Sequence, residues 1–468
     1  MMNLDQMATP RIVPTLDPAF RPAVLWNRAF LRAVEESGQA VPIAIAVERD
    51  QGQVAVHETK LFPSGVTTSW DEANYFYVER LVKCLLWAKG GWKVTIAGST
   101  IVGERLKKDY AKGGLREFDA GFMGRVYEKD FTVEIVPYED KPQAFEKTEA
   151  VGGHLDGCRI GFDAGGSDRK VAAVMDGEVL FSDETVWYPK VTEDPDYHFD
   201  GIMDSITRAA AHLPRVDAIG VSSAGIYINN RTMVASLFLK VPEDLFEEKV
   251  KDIYPRVARA LGNVPIEVRN DGDVTALAGA SALKDTNILG IAMGTSEAVG
   301  YVDSEGSLTG WLNELAFMPV DYNPKAMIDE WSGDYGCGVK YFSQDGVIKL
   351  APAAGIMLDE NLSPAEKLQV VQNLLESGHE GARQIFESIG VCLGYAIGHY
   401  ADFYDIKHLL ILGRVTSGKG GTLMLEKARE VLNADFPELS NIAFHLPDES
   451  DRRVGQAIAA AGLTALKR

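Results

Sequence analysis

The stretch Gly161-Phe162-Asp163-Ala164-Gly165-Gly166-Ser167 closes an apolar run and breaks into two adjacent glycines. Arg159–Asp163 reads as a strand, and Ala172–Met175 and Glu178–Ser182 read as the next two, with turns at Gly165-Gly166 and Asp176-Gly177. An Asp ending a strand beside a glycine turn suits phosphate. Glycine lets backbone N–H groups approach phosphate oxygens with no Cβ between, and the carboxylate can hold a hydrated magnesium ion. Alone, such a hairpin is more often only a turn.

The device recurs. Ile288–Ala292 and Ala298–Asp303 read as a hairpin around Met293-Gly294-Thr295-Ser296-Glu297, a small-residue turn carrying a hydroxyl. After the first hairpin come a helix at Asp200–His212, the strand Ala218–Ser222, a helix at Glu243–Leu261 and the strand Ile266–Val268. After the second come helices at Pro364–Glu376 and Ala382–Tyr404, the strand His408–Leu412, a helix at Thr422–Leu432, the strand Ile442–His445 and a closing helix at Arg453–Leu466. The duplication predicts an α/β protein of two ribonuclease-H-like lobes, 151–275 with the closing helix of 450–468, and 276–449. One large α/β domain with ordinary hairpins is the alternative reading.

Two further motifs sit at strand ends. Leu410-Ile411-Leu412-Gly413-Arg414-Val415-Thr416-Ser417-Gly418 runs from a strand into a small-residue loop that can pack on an adenosine and present a helix N-terminus. Arg269-Asn270-Asp271-Gly272-Asp273 precedes the helix Val274–Leu283. A carboxylate there can take the proton of an attacking hydroxyl during phosphoryl transfer. Asn and Asp at such a junction also serve as plain helix caps.

Residues 1–150 read differently. An arm with a short helix around Pro22–Glu36 leads to a hairpin, Val41–Glu48 and Gln53–Phe62, around Arg49-Asp50-Gln51-Gly52. A helix at Ala73–Ala88, a strand at Trp92–Ala97, a helix at Ile101–Tyr110 and a strand at Phe131–Tyr138 complete a small α+β domain. Glu139–Gly157 reads as a linker. This part holds 19 Lys+Arg against 21 Asp+Glu, while the remainder holds 28 against 46, giving the net charge of −20. An acidic body repels phosphate backbones, so nucleic acid is not an expected partner. No run reaches the roughly 18 apolar residues of a membrane span, and the N-terminus lacks a signal-peptide pattern, so a cytoplasmic protein with no membrane partner is expected. Cys84, Cys158, Cys337 and Cys392 are widely spaced, which argues for free thiols rather than a disulfide framework.

Taken together, residues 158–466 resemble the ROK family (repressors, open reading frames and kinases) of the actin-like ATPase superfamily. The family's first phosphate loop, Asp-x-Gly-Gly-Thr, is matched by Asp163-Ala164-Gly165-Gly166-Ser167, and its catalytic Asn-Asp-Ala-Asn by Asn270-Asp271-Gly272-Asp273. The second phosphate loop is matched by Gly294-Thr295-Ser296-Glu297-Ala298-Val299-Gly300. The resemblance implies Asp271 as general base, Asn270 and Glu314 as sugar contacts, and ATP between the lobes against Asp163, Gly165, Gly166, Ser167, Gly294, Thr295 and Gly413, with Mg2+ at Asp163.

The sequence also departs from the family. In Glu-x-Gly-His, Glu314 is kept but Phe317 replaces the His. In the cysteine-rich zinc segment Glu330 and Ser332 replace two cysteines, Cys337 survives, and Val339 takes a sugar-binding Glu position. One cysteine cannot supply about four N/S ligands, so no structural zinc is expected. Glu297 places a carboxylate inside a phosphate loop, a repulsive arrangement unless it faces solvent or is offset by Arg169, Lys170 or Arg414. The expected activity is ATP-dependent phosphorylation of a hydroxyl on a sugar or sugar-like molecule. A ROK-like ligand-binding or regulatory protein without turnover is the alternative. An iron–sulfur activator ATPase of the same superfamily lacks suitably spaced cysteines here. The N-terminal domain is a candidate for covering the cleft, mediating a homodimer or binding a partner.

Overall fold

The computed structural model describes residues 4–148, 151–447 and 449–466, so Glu149 and Ala150 of the expected linker lie outside the described residues. The chain forms two compact units: one of 148–290, 299–310 and 447–468, the other of 1–147, 291–298 and 311–446.

In the first unit five strands lie in the order Ile266–Asn270, Ala218–Ser223, Cys158–Ala164, Asp168–Met175, Glu178–Val186. The last three form an antiparallel meander, and Cys158–Ala164 continues parallel to Ala218–Ser223 and on to Ile266–Asn270. This is the ribonuclease-H-like order. Asp176 and Gly177, both at positive φ, make the tight turn the meander needs. All seven positions of Cys158–Ala164 are buried, as befits a central strand covered on both faces. One face is packed by the helix Pro195–Ala210, whose Asp194 side chain accepts from the Asp196 N–H with Pro195 in the first turn. The other carries the closing helix Glu449–Ala461. It lies so close that a Cβ on Gly161 would meet the Ala457 carbonyl at 1.7 Å, and one on Gly220 the Ala460 carbonyl at 1.7 Å.

The sequence reading of one helix over Glu243–Leu261 is corrected. The segment is Glu243–Leu245, a π turn Phe246–Val250 and a new helix Ile253–Ala260. Lys251 N–H reaches back five residues to Phe246, and Pro255, which has no N–H to donate, falls in the first turn of the new helix. The helix Glu117–Tyr127 and the hairpin Ile226–Ile228/Arg231–Val234 were not anticipated. The first contains Gly121 and Gly124, which weaken its helical signature. The second turns on Asn229 and Asn230 at positive φ.

The second unit holds two four-stranded sheets. One has the order Glu297–Val302, Ile288–Met293, His408–Leu412, Ala443–His445; only part of its hairpin, Ile291–Ala298, is in this unit. The other, from the N-terminal region, has the order Val54–Leu61, Val41–Glu48, Lys93–Ala97, Thr132–Val136. Beside it runs the helix Thr68–Lys89, buried without interruption from Tyr77 to Lys89. A helix covered all round must satisfy every polar group inside the protein. Its last carbonyls do so through residues 312–314: Glu314 N–H donates to Trp87, Asn313 to Ala88 and Leu312 to Lys89, at 2.9, 3.0 and 3.3 Å.

Its buried charges are paired. Arg80 contacts Glu79 and Asp334 at 2.6 and 3.0 Å, and Lys83 contacts Asp119 and Asp334 at 3.1 and 3.3 Å. Arg116 contacts Glu79 and Asp334 at 2.5 and 2.9 Å. Three cations and three carboxylates, each no more than 4% exposed at the side chain, thus close on one another. Trp87 adds an indole N–H to Asp119 at 2.7 Å and stacks on Phe317 at 4.2 Å between centroids. Among the described residues no helix is long and apolar enough to cross a membrane.

Candidate functional site

The first unit gathers Asp163, Ser222, Asp271 and Gln456. Asp163 stands at the end of the central strand, 5% exposed, where the meander meets the parallel half of the sheet. Ser222 on the neighbouring strand donates to Asp163 Oδ1 at 2.8 Å, and Lys170 Nζ lies 3.8 Å from Oδ2. Burial lifts the Asp163 carboxyl to about 6, against the pull of Lys170 and Ser222. Gln456 of the closing helix donates to Ser222 Oγ at 3.0 Å and to the Asp271 carbonyl at 3.2 Å, joining the two acidic positions. Ser222 and Gln456 were missed in sequence; the only signal for Ser222 was its place at the end of a strand beside Asp163.

Asp271 opens the helix Asp271–Leu283, and the cap is Asn270, not Asp271. Asn270 Oδ1 accepts from the Gly272 N–H at 2.8 Å while Nδ2 donates to the Gly225 carbonyl at 2.7 Å. The Asp271 carboxylate has a 3.1 Å contact to the same Gly272 N–H, burial pushes its pKa upward, and Lys190 pulls it down. Asn270, expected to touch sugar, therefore has both ends of its amide engaged within the protein.

The first glycine loop is held by its carbonyls. Trp187 donates its indole N–H to Gly165 at 2.8 Å and its backbone N–H to Ser167 at 3.1 Å. Ser167 Oγ donates to Asp168 at 3.1 Å. Gly166 and Ser167 are exposed, and a Cβ on Gly166 would meet the end of Lys190 at 2.7 Å. Lysine flexibility makes that conflict modest.

In the second unit Thr295 and Ser296 form the exposed tip of their hairpin, and the Gly294 carbonyl accepts from the Gln344 N–H at 2.9 Å. Gly413 has φ of +104°, and a Cβ there would meet the Met293 carbonyl at 2.2 Å, so only glycine suits this crossing. Glu297 does not face solvent. It is 3% exposed, Tyr400 OH donates to its Oε1 at 3.3 Å, and Oε2 has no hydrogen-bond partner. Burial, with a contribution from Glu314, lifts its pKa to about 8, so it is largely a neutral acid at pH 7. Its partner is Tyr400 rather than a cation: Arg169 pairs with Asp204 and Lys170 with Asp168, at 2.7 and 2.6 Å. The carboxyl is turned inward onto Tyr400 and away from the exposed tip of the loop.

Glu314 is half-buried, its N–H on the carbonyl of Trp87. Phe317 is committed to Trp87, with Phe118 and Phe122 against it. The segment matched to the zinc region is tied by other means: Ser332 donates to Asp329 at 2.6 Å, Glu330 pairs with Lys340, and Asp334 joins the buried ion network. Cys337 Sγ lies 3.9 Å from Ser332 Oγ, and burial lifts its thiol to about 12.

With this geometry in hand, comparison with solved structures fixes the fold. Over 65% of its length the chain superposes on 96% of the ROK hexokinase of Thermus thermophilus, with a TM-score of 0.52 at 16% identity. It is also similar to a ROK glucokinase of Streptomyces griseus solved with glucose and AMPPNP, at 18% identity and a TM-score of 0.46 over 65% of this chain and 98% of that one. A ROK transcriptional regulator homologous to the E. coli MLC protein gives 18% identity and 0.49 over 66% and 78%. No family model and no curated protein matches the sequence. Over that 65% of the chain the fold is thus the one seen in the ROK hexokinase.

Proposed function

We propose that a chain with this fold is a sugar kinase, transferring the γ-phosphoryl group of ATP to a hydroxyl of a sugar or sugar-like molecule. The observation that carries this reading is the division of labour at the helix start: Asn270 is the cap, and of the Asp271 carboxylate only Oδ1 touches the Gly272 N–H, which leaves Oδ2 for chemistry. In the step, the acceptor O–H bond breaks as its oxygen attacks the γ-phosphorus, the proton passes to Asp271, and the bond from γ-phosphorus to the bridging oxygen breaks to release ADP. Asp163 would hold a hydrated Mg2+ through Oδ2, because Ser222 holds Oδ1 and sets the carboxylate's orientation, and the 3.8 Å ion pair of Oδ2 with Lys170 would give way to the metal while Lys170 keeps Asp168. Bound Mg2+ would supply charge neutralisation at the phosphates. Gly294, Thr295 and Gly413 keep their assignment to the nucleotide by the family resemblance.

The test is a phosphorylation screen of sugars with Mg2+-ATP, comparing the wild type with Asp271→Asn. We expect the variant to lose on the order of 10²–10⁴-fold in rate while keeping nucleotide affinity. Equal turnover by both proteins would remove Asp271 from the mechanism. A second reading, a ligand-binding protein without turnover, is favoured by Phe317: the position of the family's sugar-contacting His is spent on packing against Trp87. Sugar binding with no ATP consumption across the screen would select that reading.

A further inference from the structure

We propose that the cavity beneath the N-terminal arm is a binding site for a small organic anion bearing a phosphate or carboxylate group. The cavity has a volume of about 760 Å³ and lies within the second unit, walled by the arm from Ala8 to Arg21, the loop from Asn323 to Met327, and the helix end at Lys349. That size suits a molecule well beyond a single inorganic ion. It shares no residue with the groups assigned to phosphoryl transfer.

Its walls are fixed. Leu16 N–H donates to Ser388 at 3.1 Å, tying the arm to the helix Glu380–Tyr400. Asp321 then clamps both walls: Oδ1 accepts from the Arg21 N–H at 2.8 Å and the Asn323 N–H at 2.7 Å, and Oδ2 accepts from Tyr341 OH at 2.5 Å. An arm that merely drapes over a surface would not need a buried carboxylate joining it to the opposite rim.

Charge sets the class of ligand. The chain has 67 acidic residues against 47 basic, yet this cavity is lined by Arg21, Lys325 and Lys349 against Asp17, with Asp321 as the second carboxylate in its walls. A cavity of net positive charge in a strongly acidic protein concentrates anions locally. Lys349 is the interior cation. Its Nζ is 3.4 Å from Asp17 and 3.3 Å from the centroid of Tyr341, its side chain is 14% exposed, and burial lowers its pKa. The ion pair with Asp17 and the Tyr341 ring fix the ammonium in the cavity wall, where an entering acid group would meet it. Arg21 and Lys325, both exposed at the rim, would draw the anion in.

The experiment is calorimetric titration of the full chain with glucose 6-phosphate, with citrate and with inorganic phosphate, in the absence of nucleotide. We expect saturable binding of at least one of the two organic anions, weakened about tenfold or more by Lys349→Met. Should Lys349→Met fail to fold, Lys325→Glu on the rim serves instead, with the same expected direction. The ATP-dependent melting shift should be unchanged in either variant, which keeps this test independent of the kinase reading. No saturable organic anion, binding of inorganic phosphate alone, or organic-anion binding unaffected by the decisive variant would each overturn the proposal.

Discussion

Replacing Asp334 with leucine tests the buried ion network directly. Its Oδ2 receives Arg80, Lys83 and Arg116 at 3.0, 3.3 and 2.9 Å, all three side chains no more than 3% exposed. Removing it leaves three buried cations facing only Glu79 and Asp119. Breaking a buried pair from one side costs roughly 3–5 kcal/mol, because the remaining charge is uncompensated. At about 2 °C per kcal/mol for a unit of this size, the melting temperature should fall by roughly 6–10 °C. Six of the seven tryptophans belong to this unit, so intrinsic fluorescence reads its transition. A double-mutant cycle supplies the control. Asp334→Leu with Lys83→Met restores two cations against two carboxylates, and should cost about 1–3 kcal/mol less than the sum of the single changes. A melting temperature for Asp334→Leu within about 2 °C of wild type, or strictly additive losses, would refute the idea that these six groups act together.

Glu297, with its carboxyl lifted to about 8, gives a pH signature. The folded state holds this proton where the unfolded chain has released it, so stability falls as pH rises from about 4.5 to 8 and levels above that; Glu297→Gln should flatten the stability profile over that window by on the order of 5 kcal/mol. Mg2+-ATP at about 100 times its dissociation constant should add roughly 2.7 kcal/mol of stability, and Gly166→Val should abolish that shift while costing little in the absence of nucleotide, since only the Lys190 side-chain end must move; an unaltered shift in the variant would remove Gly166 from the nucleotide site. Deleting residues 1–147 should yield an insoluble remainder, because Phe317 and residues 312–314 lose Trp87 and the carbonyls they bond; a soluble, cooperatively melting 148–468 fragment would contradict this.

Much of the α/β architecture is legible because strand-terminal glycines and acidic residues punctuate it. The meander around Asp163, the hairpin around Gly294 and the strand His408–Leu412 all follow from local apolar runs bounded by turns. The helix Thr68–Lys89 shows the limit of such reasoning. Glu79, Arg80 and Lys83 are charged residues inside the expected helix Ala73–Ala88, and all three are buried. Their partners, Asp119, Arg116 and Asp334, lie up to 254 positions along the chain, and no local window carries that information. Glu297 fails for the same reason: its orientation depends on Tyr400, which no motif links to it. Asn270 and Asp271 are the reverse case, since both roles, cap and carboxylate, were visible but only geometry could assign each to its residue.

The closing helix bears on how the protein is made. Gly161 and Gly220 keep the backbone bare where Ala457 and Ala460 dock, and Arg159 donates to the Thr464 carbonyl at 2.6 Å. At roughly 5–20 residues per second, the ribosome delivers Ala461 about 15–60 s after Ala164. Throughout that interval the central sheet of the first unit has one face without its cover. A nascent chain must therefore guard that face until this helix has emerged, and a product lacking residues 449–468 should be marked for chaperone capture or proteolysis despite holding every strand of that sheet.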